Sequence, residues 1–431
     1  MTETLHGNPA GTDGFEKLAA DLDQRLAAAD RQLAERYPGD RGVRQPVHTV
    51  YVPADQFTAE LGQDWGRQAM ATLAAAGATA DEFAGAIGAD PADVGAVYDR
   101  VLAKLEREQI EDLRIDFEDG YGSRPDEEED DAAVSAALQL RRAIDSGTAP
   151  PFVGIRLKNF EQPTRRRGLR TLDLFLAELT GSGPLPAGFV LTLPKVTSVD
   201  QVEAMVDVCA RLERRRGLPA GNLRFEIQVE TPQAIIGWDG RAQIAPMIHA
   251  AAPRVTGLHY GTYDYSASCG IAAEYQSMEH PAADYAKAVM QVAAAGTGVH
   301  ISDGSTNVLP VGDRSAVQSA WRLHARLVRR SLERGIYQGW DMHPGQLPTR
   351  YAAVFLFYRH GLPSAVARLR AYVNRSESGF LDEPATAVAL AGFIVRAIDC
   401  GAADQADITA DTGLSRSELD VLARRVKPVA G

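Results

Sequence analysis

The hydrophobic pattern divides the chain into a helical start, a long alternating middle and a helical end. Phe15, Leu18, Leu22, Leu26, Leu33 and Tyr37 recur at helical spacing until Pro38-Gly39 stops the pattern. This predicts an N-terminal helix packed outside the core. A second helical block fills about 55–110, where Asp90-Pro91 reads as a cap and first-turn proline ahead of Val94, Val97, Val101 and Leu105. Up to Pro348, short apolar or β-branched runs are followed by polar or glycine-rich turns and then, in most cases, by helical stretches. The runs are 48–53, 113–117, 152–157, 189–193, 223–229, 255–260, 298–302 and 335–342. Strand alternating with helix predicts a parallel sheet, and eight such units predict closure into a (β/α)8 TIM barrel. No GxGxxG or P-loop follows any run, which argues against a dinucleotide fold or an NTPase.

Beyond Pro348 the chain turns rich in Ala and Arg, with Val366, Leu369 and Val373 and then 385–398 at helical spacing. The predicted organisation is an N-terminal helical extension at 1–46, a barrel at 47–360 carrying the insertion at about 55–110, and a C-terminal helical appendage at 361–431. Residues 407–426 have a faint helix-turn-helix look around Thr412-Gly413.

Composition narrows the class. With 431 residues, 45% hydrophobic and 24% charged, the chain can bury a large core without disulfides. No apolar run approaches the roughly 18 residues of a membrane span, and residues 1–13 are polar rather than signal-like. A soluble cytoplasmic protein is expected. Cys209, Cys269 and Cys400 fall at unrelated spacings without a CxxC, which predicts buried thiols in a reducing compartment. A formal net charge of -12 counts against nucleic acid as a partner, the helix-turn-helix look included. It leaves room for a small anionic substrate in a locally cationic pocket.

Catalytic groups of such a barrel lie at the C-terminal ends of its strands. Those positions are polar here: Asp116, Glu118 and Asp119 after the second run, Arg156 with Lys158-Asn159 after the third, Lys195 after the fourth, Glu230 after the fifth. The sixth to eighth give Gly261-Thr262-Tyr263-Asp264, Asp303-Gly304-Ser305 and His343-Pro344-Gly345-Gln346. Alternation along 225–229 points Glu230 to the same side as Glu226 and Gln228. Two carboxylates from adjacent strands, Glu230 and Asp264, suit Mg2+ or Mn2+. The competing reading bonds them to backbone amides or to Arg156 and Lys195.

Six segments, in order and spanning about 47–358, resemble the superfamily of the citrate lyase beta subunit, malyl-CoA lyase and the HpcH/HpaI aldolases. Asp116-Phe117-Glu118-Asp119-Gly120 is similar to its D-L-E-D-A, and Arg156 with Lys158 or Asn159 to its R-V-N. Leu193 to Ser198 is similar to L-P-K-V-E-S, and Val229-Glu230-Thr231 to I-E-T. Tyr260 to Asp264 is similar to F-G-x-x-D, and Met342 to Gln346 to I-H-P-x-Q. The run from Gly261 to Tyr265 also resembles malate synthases. The resemblance implies a barrel of the phosphoenolpyruvate/pyruvate-binding type, a metal on Glu230 and Asp264, and Arg156 facing the substrate. The implied reaction makes or breaks a carbon–carbon bond through the enolate of a 2-oxoacid or acyl-CoA thioester. Lys195, Gly261, Thr262 and His343 complete the expected substrate-binding set. Gly120, where the family has alanine, the Lys158-Asn159 pair and the long helical block are departures that mark a divergent branch.

Asp116, Glu118 and Asp303 are candidates for acid, base or orienting roles; Asp303-Gly304-Ser305 is equally ordinary turn chemistry. His343 reads either as a proton carrier or as part of a rigid turn. Lys195 raises a rival Schiff-base mechanism. Arg165, Arg166, Arg167 and Arg170 suit either coenzyme A phosphates or a solvated helix start. A transferase acting on phosphoenolpyruvate or pyruvate and a non-catalytic binding barrel are the alternative functions. The apolar faces of the helices after Pro363 predict a homo-oligomer.

Overall fold

A computed structural model of the chain describes residues 12–374 and 383–424. Eight short strands carry it: β1 His48–Pro53, β2 Asp112–Asp116, β3 Phe152–Arg156, β4 Val190–Leu193, β5 Arg224–Val229, β6 Val255–Tyr260, β7 His300–Ser302 and β8 Gly339–Asp341. All pair in parallel, in the order β7-β6-β5-β4-β3-β2-β1-β8. A parallel bridge between Ser302 and Gln338 closes the ring. The Asp303 N–H supports that seam by donating to the Gln338 carbonyl at 2.9 Å.

Nearly every strand falls within a residue or two of its predicted run. The exceptions are β7 and β8, where only three residues of each longer run are strand. The block at 55–110 contains α2 Leu61–Ala76, α3 Ala80–Ile87 and α4 Pro91–Arg107. α4 starts as its sequence dictates: Asp90 accepts from the N–H groups of Ala92 and Asp93, and Pro91 opens the first turn. α1 Thr12–Arg36 departs from expectation. Instead of packing on the core it stands clear of it, with Phe15, Leu18, Leu22, Leu26 and Leu33 exposed. The helix is there and lies outside the core, but its apolar face is not packed: periodicity identifies such a face but not what meets it.

α5 Asp126–Asp145, α6 Arg165–Gly181, α7 Val199–Arg216, α8 Pro232–Ile235, α9 Ile244–Ala251, α10 Thr262–Ser268, α11 Pro281–Ala294 and α12 Arg314–Glu333 complete the outer layer. α13 Leu347–Asn374 runs unbroken through residue 360, where the appendage was expected to begin, with Pro363 inside it. α14 Pro384–Asp399, α15 Gln405–Thr412 and α16 Arg416–Leu422 pack with its second half around Leu369, Ile394, Val395 and Leu419. α15 and α16 are the two short helices of the helix-turn-helix pattern, joined at Gly413 with φ 75°. Residues 425 and 426 of that pattern, like residues 1–11 of the polar start, lie outside the described residues. Cys209 and Cys400 are buried as expected; Cys269, which ends α10, is exposed instead. No helix among the described residues is long and apolar enough to cross a membrane.

The strands are amphipathic in an unusual sense. Their outward residues, among them Val50, Ile115, Ile155, Leu191, Ile227 and Leu258, are aliphatic and buried under the helices. Their inward residues are largely charged or polar. Arg114 on β2 donates from Nε to Thr192 Oγ1 at 3.0 Å and to Glu226 Oε1 at 2.9 Å, and from Nη2 to Glu226 Oε2 at 2.7 Å. It also pairs with Asp112, which accepts from Thr49 Oγ1 at 2.9 Å. His259 lies 2.9 Å from Glu226. These contacts tie β1, β2, β4, β5 and β6 across the barrel axis. A cavity of about 100 Å3 lies beneath them at the N-terminal face, lined in part by Arg41, Arg114, Arg224 and His259. That is the end of the barrel away from the candidate chemistry.

Outside the barrel, Asp341 is the corresponding knot. Its carboxylate lies 2.8 Å from His48 Nδ1 and 3.0 Å from His324 Nε2, and accepts from Arg350 Nη2 at 2.8 Å. Burial alone would raise its pKa, but Arg350 and the two histidines hold it well below the usual range. One carboxylate thus joins β8 to β1, α12 and α13. Asp341→Asn would strand Arg350 without its counter-charge, and breaking a buried pair costs about 3–5 kcal/mol. The expected result is a urea midpoint lowered to match, with the m-value unchanged; an unaltered midpoint would contradict this role for Asp341.

Candidate active site

The site begins with a residue that ends a strand. Arg156, the last residue of β3, is 2% exposed and donates from Nε and Nη2 to the two oxygens of Asp116, each at 2.7 Å. This two-pronged pair is the strongest geometry available to a guanidinium and a carboxylate. Tyr51 and Trp340 stack against the guanidinium at 4.8 and 5.5 Å. Nη1 makes only long contacts, 3.4 Å to Gln228 Oε1 and 3.5 Å to Glu118 Oε2. It is the least engaged of the three guanidinium nitrogens.

Asp116 also shapes the loop that follows it. Its oxygens accept from the N–H groups of Glu118 at 3.0 Å and Gly120 at 2.9 Å. A Cβ at residue 120 would stand 2.6 Å from Asp116 Oδ2, so the glycine found where the resembled family has alanine lets the loop close on this carboxylate. Lys158, the other departure, donates to the carbonyls of Phe117 at 2.7 Å and Gly122 at 3.0 Å and pins the same loop.

Opposite this loop lies Lys195, in the left-handed region at φ 50°. Such a backbone costs on the order of 1–3 kcal/mol and persists only where its surroundings fix it. Here its N–H donates to Glu230 Oε1 at 2.8 Å. Its ammonium lies 2.7 Å from Asp119, 3.0 Å from Glu118 and 3.5 Å from Asp264. Burial would lower the lysine's pKa, but Glu118 and Asp119 outweigh it and hold the amine charged.

Glu230 follows β5, on the side that alternation assigned, and is 1% exposed. Gly261 makes room for it: a Cβ there would stand 2.5 Å from both Cβ and Oε2 of Glu230. Burial pushes the Glu230 carboxyl up to about 8, helped by Glu118 and Asp264 and opposed by Arg156 and Lys195. Burial likewise raises Glu118. Asp264 sits in the first turn of α10, half-exposed at the mouth. Thr262, beside it, is buried against Gly304, with its hydroxyl unpartnered.

The structure therefore gathers Asp116, Glu118, Arg156, Lys195, Glu230, Gly261 and Asp264 at one end of the barrel, with Thr262 at their edge. Two candidates have other attachments. Asp303 faces outward and accepts from Lys287 Nζ at 3.0 Å and Ser331 Oγ at 2.6 Å, joining β7 to α11 and α12. On β7 it follows the inward Ser302, so the pleat sends it to the helical layer. His343 accepts from the Gly345 N–H at 3.0 Å and stiffens its own turn; burial lowers its pKa. Sequence reasoning missed Tyr51, Gln228 and Trp340 around the guanidinium. Only the inward parity of Thr49 and Tyr51 could have signalled the first.

Among the described residues no group of three or more His, Cys, Asp or Glu is arranged to hold a metal ion. Glu230 and Asp264 fit a divalent ion in a narrower sense. Mg2+ commonly takes one or two carboxylates and keeps several waters. A carboxylate buried beside two others, with a glycine clearing the space next to it, is a donor that lacks a counter-charge. Arg167 and Arg170 are both paired with Asp130, Arg167 also with Glu129.

The fold is that of a citrate lyase from Burkholderia xenovorans LB400, which aligns with a TM-score of 0.58 at 18% identity, covering 85% of this chain and 95% of that one. A malate synthase of Haloferax volcanii aligns with a TM-score of 0.49 at 14% identity, over 88% and 91% of the two chains. CitE of Mycobacterium tuberculosis, in complex with magnesium, acetoacetate and coenzyme A, aligns with a TM-score of 0.48 at 16% identity, over 84% and 99%. These neighbours are of the kinds whose motifs the sequence resembles. No curated protein matches the chain. Over residues 26–427 the chain matches the family described as a domain of unknown function, DUF6986, and it belongs to that family.

The placements of Asp303 and Glu118 can be told apart. Asp303→Asn should cost roughly 3–5 kcal/mol of stability by leaving Lys287 buried and unpaired, while turnover by the folded fraction stays within a few-fold. Glu118→Gln should do the reverse. Equal losses of turnover in both variants, at matched folded fraction, would put Asp303 back in the site.

Proposed function

We propose that this chain is a carbon–carbon lyase or aldolase working through the enolate of a small 2-oxoacid, with Mg2+ or Mn2+ held by Glu230 and Asp264. The observation that carries the reading is the fully buried Glu230 carboxyl, lacking a full counter-charge, in one cluster with the guanidinium of Arg156. When bound, the ion supplies Lewis-acid stabilisation of negative charge developing on substrate oxygens. The chain's own residues account for the rest.

Arg156 offers Nη1 to an oxygen that gains charge, and Asp116 fixes its direction by occupying Nε and Nη2. A donor held in place beforehand needs no reorganisation at the moment of reaction. Asp116 is therefore a positioning residue. Glu118, buried between Arg156 and Lys195 with its pKa raised by that burial, is the group suited to hold or move a proton. Lys195 balances Glu118 and Asp119, and its charged amine is not a nucleophile, which disfavours the Schiff-base route. With Arg167 and Arg170 already paired with Asp130 and Glu129, a free acid is better supported than a coenzyme A thioester. A phosphoryl-transferring alternative would need a histidine in the cluster, and His343 is tied to its own turn.

The test is a screen of cleavage and condensation with pyruvate, glyoxylate and acetyl-CoA, with and without Mg2+ or Mn2+. EDTA should abolish activity reversibly, and Glu230→Gln should remove Mn2+ binding measured by electron paramagnetic resonance. Arg156→Lys should lower turnover about 10²- to 10³-fold, the usual effect of losing one such donor, because an ammonium cannot both hold Asp116 and present Nη1. Full activity in EDTA, or a borohydride-trapped adduct on Lys195, would overturn the proposal.

A further inference from the structure

α1 has an apolar face that nothing in the chain's described residues covers. Phe15, Leu18 and Leu33 are 66, 58 and 62% exposed, and Leu22 and Leu26 are 47% exposed. At about 100° per residue these side chains, with Ala19, Ala29 and Tyr37, fall within an arc roughly 100° wide, the width of a helix face that buries itself against a partner. The spacing repeats every 11 residues, Phe15 to Leu26 to Tyr37 and Leu22 to Leu33. A period near 3.67 keeps the stripe on one side of a nearly straight helix. Only the C-terminal end is anchored: the Tyr37 ring lies 5.3 Å from that of His249, and the Gly39 N–H donates to the Gly296 carbonyl at 2.8 Å.

We propose that α1 pairs antiparallel with α1 of a second copy of this chain. Length favours this occupant. A helix of 25 residues is about 37 Å long. Residues 375–382 and 425–431 bring only Phe380, Leu381, Val426, Val429 and Ala430 as apolar side chains, and residues 1–11 little more than Met1 and Leu5. A second α1 matches the stripe along its whole length. With Leu26 facing Leu26, the pairing sets Phe15 opposite Tyr37 and Ala19 opposite Leu33.

Charge fixes the direction. Residues 14–23 carry Glu16, Asp21 and Asp23 against Lys17, whereas residues 24–36 carry Arg25, Arg31 and Arg36 against Asp30 and Glu35. An antiparallel pair lays the acidic half along the basic half; a parallel pair would lay acidic against acidic. It also places the two barrels at opposite ends of the rod, where they do not compete for space. A lipid surface is a poorer fit, since residues 14–36, with five acidic side chains against four basic ones, lack the cationic excess of a membrane-binding helix.

Sedimentation velocity on the full chain at micromolar concentration should give at least a dimer. Leu22→Glu with Leu26→Glu should halve that mass while leaving the barrel folded by near-UV circular dichroism, because neither position packs on the barrel within one chain. In a Cys269→Ser background, Leu26→Cys should form a disulfide with its own copy and Phe15→Cys should not. A monomeric wild type, a mass indifferent to the double substitution, or self-crosslinking of Phe15→Cys would each overturn the proposal. So would a wild type that is monomeric in solution but sediments with vesicles of phosphatidylcholine and phosphatidylserine.

Discussion

The bidentate pair between Arg156 and Asp116 is the interaction on which the candidate site depends. It joins the ends of β2 and β3, fixes the guanidinium and, through the same carboxylate, closes the loop at 118–120. That loop presents Glu118 and Asp119 to Lys195. Lys195 in turn gives its backbone N–H to Glu230, which needs the bare backbone of Gly261 to lie where it does. Each link constrains the next. A change at Asp116 would therefore reach Glu230 through three intermediate contacts.

Much of this was legible in the sequence because a closed parallel barrel leaves few choices. Eight apolar runs with polar residues at their ends point to the fold and to the end of the barrel where candidate chemistry is expected. On β5, alternation assigned Glu230 to the side of Glu226 and Gln228, and contacts across the barrel agree. Asp303 could not be sorted the same way. Its strand is three residues long, and His300-Ile301-Ser302 does not reveal its inner face when only one residue is apolar. The parity of a single position decides between a catalytic carboxylate and a strut for α11 and α12.

Other parts were hidden for different reasons. Besides Asp116, the groups around Arg156 come from β1, β5 and β8, strands far apart in sequence and brought together by closure alone. The left-handed backbone at Lys195 has no local signal, since lysine is not a residue that favours that region. α1 was read correctly as amphipathic and wrongly as packed. An apolar face is a statement about the need for a partner, and periodicity contains nothing about whether the same chain supplies it.

The two ends of the barrel differ in how charge is settled. Within the axis, Arg114 meets Asp112 and Glu226 with His259 beside them, so buried charges are matched at hydrogen-bond distance. At the mouth, Asp116, Glu118, Asp119, Glu230 and Asp264 face Arg156 and Lys195, five carboxylates against two cations. Asp116 uses the best face of Arg156, and Lys195 is shared among three others. Glu230 lies fully buried among them, and burial first, with Glu118 and Asp264 adding to it, pushes its pKa up to about 8. An anionic oxoacid approaching this cluster would meet repulsion from every unpaired carboxylate. The divalent cation proposed for Glu230 and Asp264 would reverse that field. On that proposal, the excess of acid at the mouth would be what makes an anionic substrate acceptable there.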